Sequence, residues 1–330
     1  MGVRVYRVRA VLLTVAMVLT LGGGLLVTGA PANAAGRVAV SDTFVTARCG
    51  GQAVRIPMRW YIPSGTPTGL VWLQHGFTRA ANDLRGLASS YARDGMLVAT
   101  PQIDTINRDG CIVSSIALID NHAFVATMGR VFGDAWQPGS ALAASLNRAG
   151  ARVGRSVAMP DRMIFAGHSN GAEFVLVAAN ELRRSRPASF NAHFAGLTLL
   201  DPGRTAINND FAVAAKGLGG RTPIRIVAAR LSPYNYFGTC VGTLLADNPG
   251  RFLGARLVNG NHMDAEGAST DLLGYLFELR APVPRDVAVV ARLSTAWSSD
   301  LLRGTRSAAF YPGGGYYGGL VRAGMLAPLR

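Results

Sequence analysis

Residues 164–174, Ile-Phe-Ala-Gly-His-Ser-Asn-Gly-Ala-Glu-Phe (IFAGHSNGAEF), set one serine, Ser169, between Gly167 and Gly171. A short apolar run, residues 162–167, enters the stretch, and a helically spaced run, Ala172 to Leu182, leaves it. The pattern predicts a buried strand, a tight turn and a helix. The same alternation extends outward. GLVWLQ (69–74) and MLVATPQI (96–103) precede it as strand-like runs; HFAGLTLLD (193–201), PIRIVAA (223–229) and GARLVNG (254–260) follow. Helical spacing falls between them, at Asn82–Arg93, Ser115–Phe132 and from the cap Ser140 to about Arg148. Thr270–Leu279 reads as a closing helix. Strands alternating with helices specify an α/β fold with a mostly parallel central sheet and helices on both faces. In such sheets the functional loops gather at the carboxyl ends of the strands. His75, Ser169, Asp201 and His262 all follow strand runs there.

Before this series, residues 38–50 and 54–63 read as antiparallel entry strands. The N-terminus carries Arg4, Arg7 and Arg9, then the uncharged run Ala10 to Gly29, then the small residues Ala32 and Ala34. That order is expected of a secretory signal peptide, residues 1–35, cut near Ala34 or Ala35; an uncleaved membrane anchor is the alternative. Residues 36–280 are expected to form the main domain, which carries these loops. Residues 281–330 open on two prolines and contain YPGGGYYGGL, which leaves an appendage of unclear role: packed loop, polymer-contact strip or floppy tail. Hydrophobic residues make up 49% of the 330, enough for a substantial core and too many for a disordered chain. The formal charge is +14, and three of those charges precede the apolar N-terminal run. The arginines are scattered and not interleaved with aromatics, which argues against nucleic acid and for anionic envelopes, polymers or lipid surfaces, or simply a solvated face. Cys49, Cys111 and Cys240 allow three single pairings in an exported protein and have no metal-site spacing.

Gly167-His168-Ser169-Asn170-Gly171 matches G-x-S-x-G, and in its strand–turn–helix setting it resembles the nucleophile elbow of the α/β-hydrolase superfamily. The resemblance implies Ser169 as nucleophile and His262, on the loop after the last strand run, as its base. The order Ser169, Asp201, His262 also fits. The usual place for the acid, after PIRIVAA, holds Arg230-Leu231-Ser232-Pro233-Tyr234-Asn235, with no carboxylate. Asp201 ends the preceding strand instead, as in chlorophyllase-like and pancreatic-lipase-like members, and is the expected acid, with Asp247 the runner-up and Asp264 in a supporting place. The resemblance places the oxyanion hole at the N–H groups of Asn170 and Phe77, the latter in an H-G-x loop with Thr78 as neighbouring alternative. His75 is expected to hold that loop, and His122, His168 and His193 to be structural.

These residues together point to a secreted or cell-envelope serine hydrolase of carboxylic esters, an esterase or lipase, acting through an acyl-enzyme and needing no cofactor or metal. Small-molecule, lipid and polymeric esters all fit as substrates. Trp136, Tyr234, Asn235, Tyr236 and Phe237 either line an apolar cleft or belong to the core. An acyltransferase with the same triad and a non-catalytic cell-envelope binding protein of the same fold are the alternatives. Oligomeric state is not legible.

Overall fold

A computed structural model describes residues 37–330, apart from residues 117, 206 and 207 and the side chain of Phe277. The proposed signal segment therefore lies outside the described residues. The nine strands found among them are β1 Ala39–Cys49, β2 Gln52–Ile62, β3 Leu70–Gln74, β4 Leu97–Pro101, β5 Met163–His168, β6 Phe194–Leu200, β7 Ile224–Ala228, β8 Gly254–Leu257 and β9 Leu326–Leu329. They form one sheet in the order β1-β2-β4-β3-β5-β6-β7-β8-β9. The pairings from β4 through β8 are parallel; β1–β2, β2–β4 and β8–β9 are antiparallel. Every residue of β3, β4 and β5 is buried, as the unbroken apolar runs of a sheet covered on both faces require.

The helices are α1 Arg85–Arg93, α2 His122–Gly133, α3 Ala141–Arg152, α4 Asn170–Ser185, α5 Pro187–His193, α6 Asp210–Leu218, α7 Thr239–Ala246, α8 Leu272–Glu278, α9 Pro284–Arg303 and α10 Gly315–Arg322. They divide the core in two. Phe124, Phe132, Leu146, Phe174, Phe211 and Leu244 pack on one face of the sheet. Leu87, Tyr91, Leu293, Trp297 and Tyr317 pack on the other. Ser140 caps α3 as expected, accepting the Ala143 N–H at 3.3 Å.

The C-terminal stretch builds directly on this sheet. Val289, Leu293, Trp297 and Leu301 recur every fourth residue and bury one side of α9. Pro284 stands in the first turn of that helix, where its missing N–H costs nothing, and Gly304 closes it in the left-handed conformation. β9 then adds the last strand, antiparallel to β8.

Two expectations change. The helix read over 115–132 begins only at His122. The described residues between 104 and 121 are instead a loop pinned by the Cys49–Cys111 disulfide, by Ser115 Oγ donating to Asn121 Oδ1 at 2.5 Å, and by backbone pairing of Ile116 with Ile119. Trp136 is not beside the reactive loops. It stacks on His193 at the opposite end of the strands, its indole N–H bonded to the Pro160 carbonyl, and it packs against the core.

Candidate active site

Ser169 stands between the end of β5 and the start of α4 with φ 55° and ψ −128°, a conformation that costs a non-glycine residue on the order of 1–3 kcal/mol. The flanking glycines make the turn sterically feasible. A Cβ on Gly171 would lie 2.4 Å from the His75 carbonyl oxygen, and one on Gly167 would lie 2.3 Å from the Gly171 carbonyl oxygen. Two further glycines leave room beside the serine. A Cβ on Gly76 would fall 2.8 Å from Ser169 Cβ, and one on Gly203 would fall 3.4 Å from Ser169 Oγ.

His262 and Asp201 are brought together across the tips of β8 and β6. His262 Nδ1 lies 2.5 Å from Asp201 Oδ2, and both side chains are almost fully buried. The other oxygen of Asp201 accepts the Ala229 N–H at 2.8 Å and the Asn235 amide at 3.0 Å. Asn235 also donates to the Arg230 carbonyl at 2.7 Å, and its own Oδ1 accepts the Ser232 N–H at 2.9 Å. Asp247, by contrast, ends α7. Asp264 has one oxygen on the Asn261 N–H and the other without a hydrogen-bond partner; burial lifts its carboxyl to about 6.

The loop after β3 lies against the serine. His75 is wholly buried: Nδ1 donates to the Gly76 carbonyl at 3.0 Å and Nε2 accepts the Ile103 N–H at 3.2 Å. Burial pushes its pKa down to about 4, so it is a neutral brace. His168 is also neutral. Burial and, secondarily, the neighbouring His262 press it to about 4, and its Nε2 is 2.8 Å from the His262 carbonyl. His193 bonds the Asp161 carbonyl, and His122 pairs with Asp210, both away from Ser169 on other elements. Asn170 is the first residue of α4, where an N–H has no acceptor within the helix. Phe77 and Thr78 follow Gly76, and Thr78 has φ 58°.

Four residues to which the sequence reading gave no such role hold these loops in place. Arg79 grips Glu266 with two bonds, Nε to Oε1 at 2.8 Å and Nη2 to Oε2 at 2.6 Å. That ion pair ties the Gly76 loop to the His262 loop. Burial alone would raise the Glu266 carboxyl, but the Arg79 guanidinium bonded to it outweighs burial and leaves it below its ordinary value. Asn235 clamps Asp201 as described. Glu173, one turn into α4, accepts the Thr205 N–H and hydroxyl, each at 2.7 Å. The side chain of Asn170 bonds Ser114 Oγ at 3.1 Å, and Ser114 bonds Thr205 at 2.7 Å, so this network fixes the residue after the serine. The only signals in the sequence were charges beside the motifs, Arg79 in HGFTR and Glu266 in HMDAE.

No family model and no curated protein matches the sequence. Solved structures do match the fold. A ferulic acid esterase from Streptomyces cinnamoneus aligns over 91% of this chain and 98% of its own, with TM-score 0.59 and 13% identity. A thermophilic carboxylesterase cloned from a metagenomic library aligns over 81% and 90%, with TM-score 0.50 and 14% identity. A point mutant of the esterase rPPE aligns over 80% and 83%, with TM-score 0.52 and 13% identity. At such identities the likeness is one of architecture, and it agrees with the strand order, the serine turn and the buried His262–Asp201 pair: this chain is folded as an α/β-hydrolase.

Proposed function

We propose that the protein hydrolyses carboxylic esters with Ser169 as nucleophile, His262 as base and Asp201 as the acid that orients it. The observation that carries this is the 2.5 Å bond from His262 Nδ1 to a buried carboxylate, with a serine held in a strained turn directly after His168, whose ring lies 4.8 Å from that of His262. With Nδ1 committed to Asp201, Nε2 is the ring atom left to exchange protons with a substrate-facing hydroxyl. Ser169 Oγ attacks the ester carbonyl and gives its proton to His262. The tetrahedral oxyanion is received by the N–H groups of Asn170 and Phe77. His262 then protonates the departing alcohol, leaving an acyl-serine. Water, deprotonated by the same imidazole, releases the acid and restores Ser169. The three aligned esterases support the choice of reaction. We also infer that the protein works outside the reducing cytoplasm, because its β1 end is fastened by a disulfide.

The test is labelling by a fluorophosphonate and turnover of short- and long-chain aryl esters, with Ser169→Ala alongside. Labelling and turnover are expected in the wild type and lost in the variant. A wild-type protein that neither labels nor cleaves any ester overturns the proposal.

A further inference from the structure

Helix α8 is inside out. A surface helix ordinarily turns its apolar stripe inward and its polar residues to water. Among the described side chains of this helix the buried positions are Gly274 and Glu278, while Leu272, Leu273, Tyr275 and Leu276 are exposed, as is Leu279 just beyond. The inward face has a reason. Gly274 sits against the guanidinium of Arg79, where a Cβ would come within 3.0 Å of Nη2. Glu278 accepts the His262 N–H at 3.3 Å and pairs with Arg230 at 3.0 Å. The leucines outside have no such reason within the fold.

The exposed face continues onto the loop after β7. The Arg230–Glu278 pair brings that loop beside α8, and the loop turns back on itself through the Phe237 N–H to the Ser232 carbonyl. It exposes Leu231 (52%) and Phe237 (66%), with Tyr234 lying nearly parallel to the His262 ring at 6.0 Å. Of the thirteen large hydrophobic residues exposed among the described residues, eight therefore belong to these two segments flanking His262. Scattered exposed leucines need no explanation, but a cluster of this kind marks a binding surface.

The surrounding charge selects the occupant. Both acids of the segment 267–283 are engaged by arginines, Asp271 by Arg79 and Glu278 by Arg230. Arg85 lies along the backbone of 268–269, and Arg280 is exposed at the end of the segment. The buried Arg79 is shared among Asp83, Glu266 and Asp271, so the exposed cations at the rim are Arg85, Arg280 and the partly exposed Arg230. The formal charge of +14, only three of it from Arg4, Arg7 and Arg9, leaves the body of the protein cationic, and an apolar surface on such a body complements an anionic lipid surface. A second copy would bring the same arginines against these and repel.

We propose that α8 and the 231–237 loop form a docking surface for anionic lipid bilayers or droplets, which seats the protein with His262 toward the lipid. This deepens the ester-hydrolase reading and rests on it for the fate of the lipid, not for the binding.

The test separates the two. Residues 35–330 form one compact unit, so the chain begun at Ala35 is used, carrying Ser169→Ala so that no lipid is cleaved. Its partition onto phosphatidylglycerol vesicles is measured by co-sedimentation. Leu272→Ser/Leu276→Ser/Leu279→Ser is expected to weaken partition at least tenfold with an unchanged melting temperature. Leu279→Ser alone, at a residue 86% exposed, is expected to weaken it severalfold. Val213→Ser, at an exposed apolar residue on α6, is expected to have no effect. Absence of partition, equal partition of the triple variant, or a dimer that the triple variant dissolves without vesicle binding overturns the proposal. Ester hydrolysis by the wild type is scored separately, so a failure of docking and a failure of catalysis are distinguishable.

Discussion

Asn235 donates its side-chain amide to both carboxylate oxygens of Asp201, at 3.0 and 3.2 Å. The loop that carries Asn235 follows β7, the place where the fold's more usual arrangement has the acid itself. Here that loop supplies a hydrogen-bond donor, and the carboxylate comes from the end of β6. Asn235 is buried and its amide is fully employed, so it acts as a clamp on the Asp201 carboxylate.

The first prediction is that Asp201→Asn lowers kcat by about 10⁴, as expected when a triad histidine loses the group that fixes its tautomer. Asp247→Asn, at the end of α7, should leave kcat unchanged. Asn235→Ala should lie between: it leaves Asp201 the Ala229 N–H and His262 Nδ1 as donors, and costs roughly 1–3 kcal/mol of stability. Steady-state kinetics on a soluble aryl ester, with urea denaturation of each variant, check all three. A silent Asp201→Asn would sink the assignment.

The Arg79–Glu266 pair predicts an asymmetry. Arg79→Met leaves Glu266 buried without its cation and should cost about 3–5 kcal/mol. Glu266→Met should cost less, because Arg79 keeps Asp83 at 3.3 Å and Asp271 at 2.8 Å. The double variant should recover part of the loss, since methionines of similar length fill the space without an orphaned charge. Equal costs that simply add in a double-mutant cycle would show that the two side chains are not coupled.

Much of this was legible in the sequence. The parallel strands are apolar on both faces, so their runs stand out, and Gly167 and Gly171 announce the serine turn because backbone contacts at 2.3–2.4 Å exclude any side chain. Asp201 and His262 were singled out by their places at strand ends together with the resemblance, and the structure brings these two side chains into contact. The clamp on Asp201 was not legible, because Asn235 acts at 34 residues' separation through a loop with irregular backbone at Tyr236 and Phe237. Nor was the tie between Arg79 and Glu266, which lie 187 residues apart. Helix α9 was obscured by the prolines that mark its start, and the pairing of Cys49 with Cys111 by a third cysteine, Cys240, which is buried and free.

Removing the disulfide tests how the 104–121 loop is held. Cys49 and Cys111 are 62 residues apart, and closing a loop of that length stabilises a fold by about 4 kcal/mol in the chain-entropy account. Cys49→Ser/Cys111→Ser should therefore lower the denaturation midpoint. Reductant should lower it for the wild type and not for the double variant. Identical midpoints with and without reductant in the wild type would show that the bridge contributes nothing.

Glu173 makes stability depend on pH in a direction that can be worked out. Burial raises its carboxyl from 4.5 to about 7, and one oxygen, Oε1, has no hydrogen-bond partner. The unfolded chain ionises this group near 4.5 and the folded chain near 7, so between those values the folded protein holds the extra proton. Stability from this group is thus fully present below about pH 4.5, falls as pH rises, and levels off above about pH 7, by about 1.4 kcal/mol for each unit of the shift. Glu173→Gln keeps an oxygen for Thr205 and does not titrate. Relative to wild type it should gain stability from pH 4.5 to 7 and hold that gain at pH 8. The comparison of variant with wild type is needed because His75 and His168, pressed to about 4, impose the opposite slope over much of the same range in both proteins. Urea midpoints at pH 4, 5, 6, 7 and 8 give the difference directly. A difference that is flat with pH, or that shrinks as pH rises, would mean that Glu173 is ionised throughout and that Thr205 and Asn170 hold it as a carboxylate.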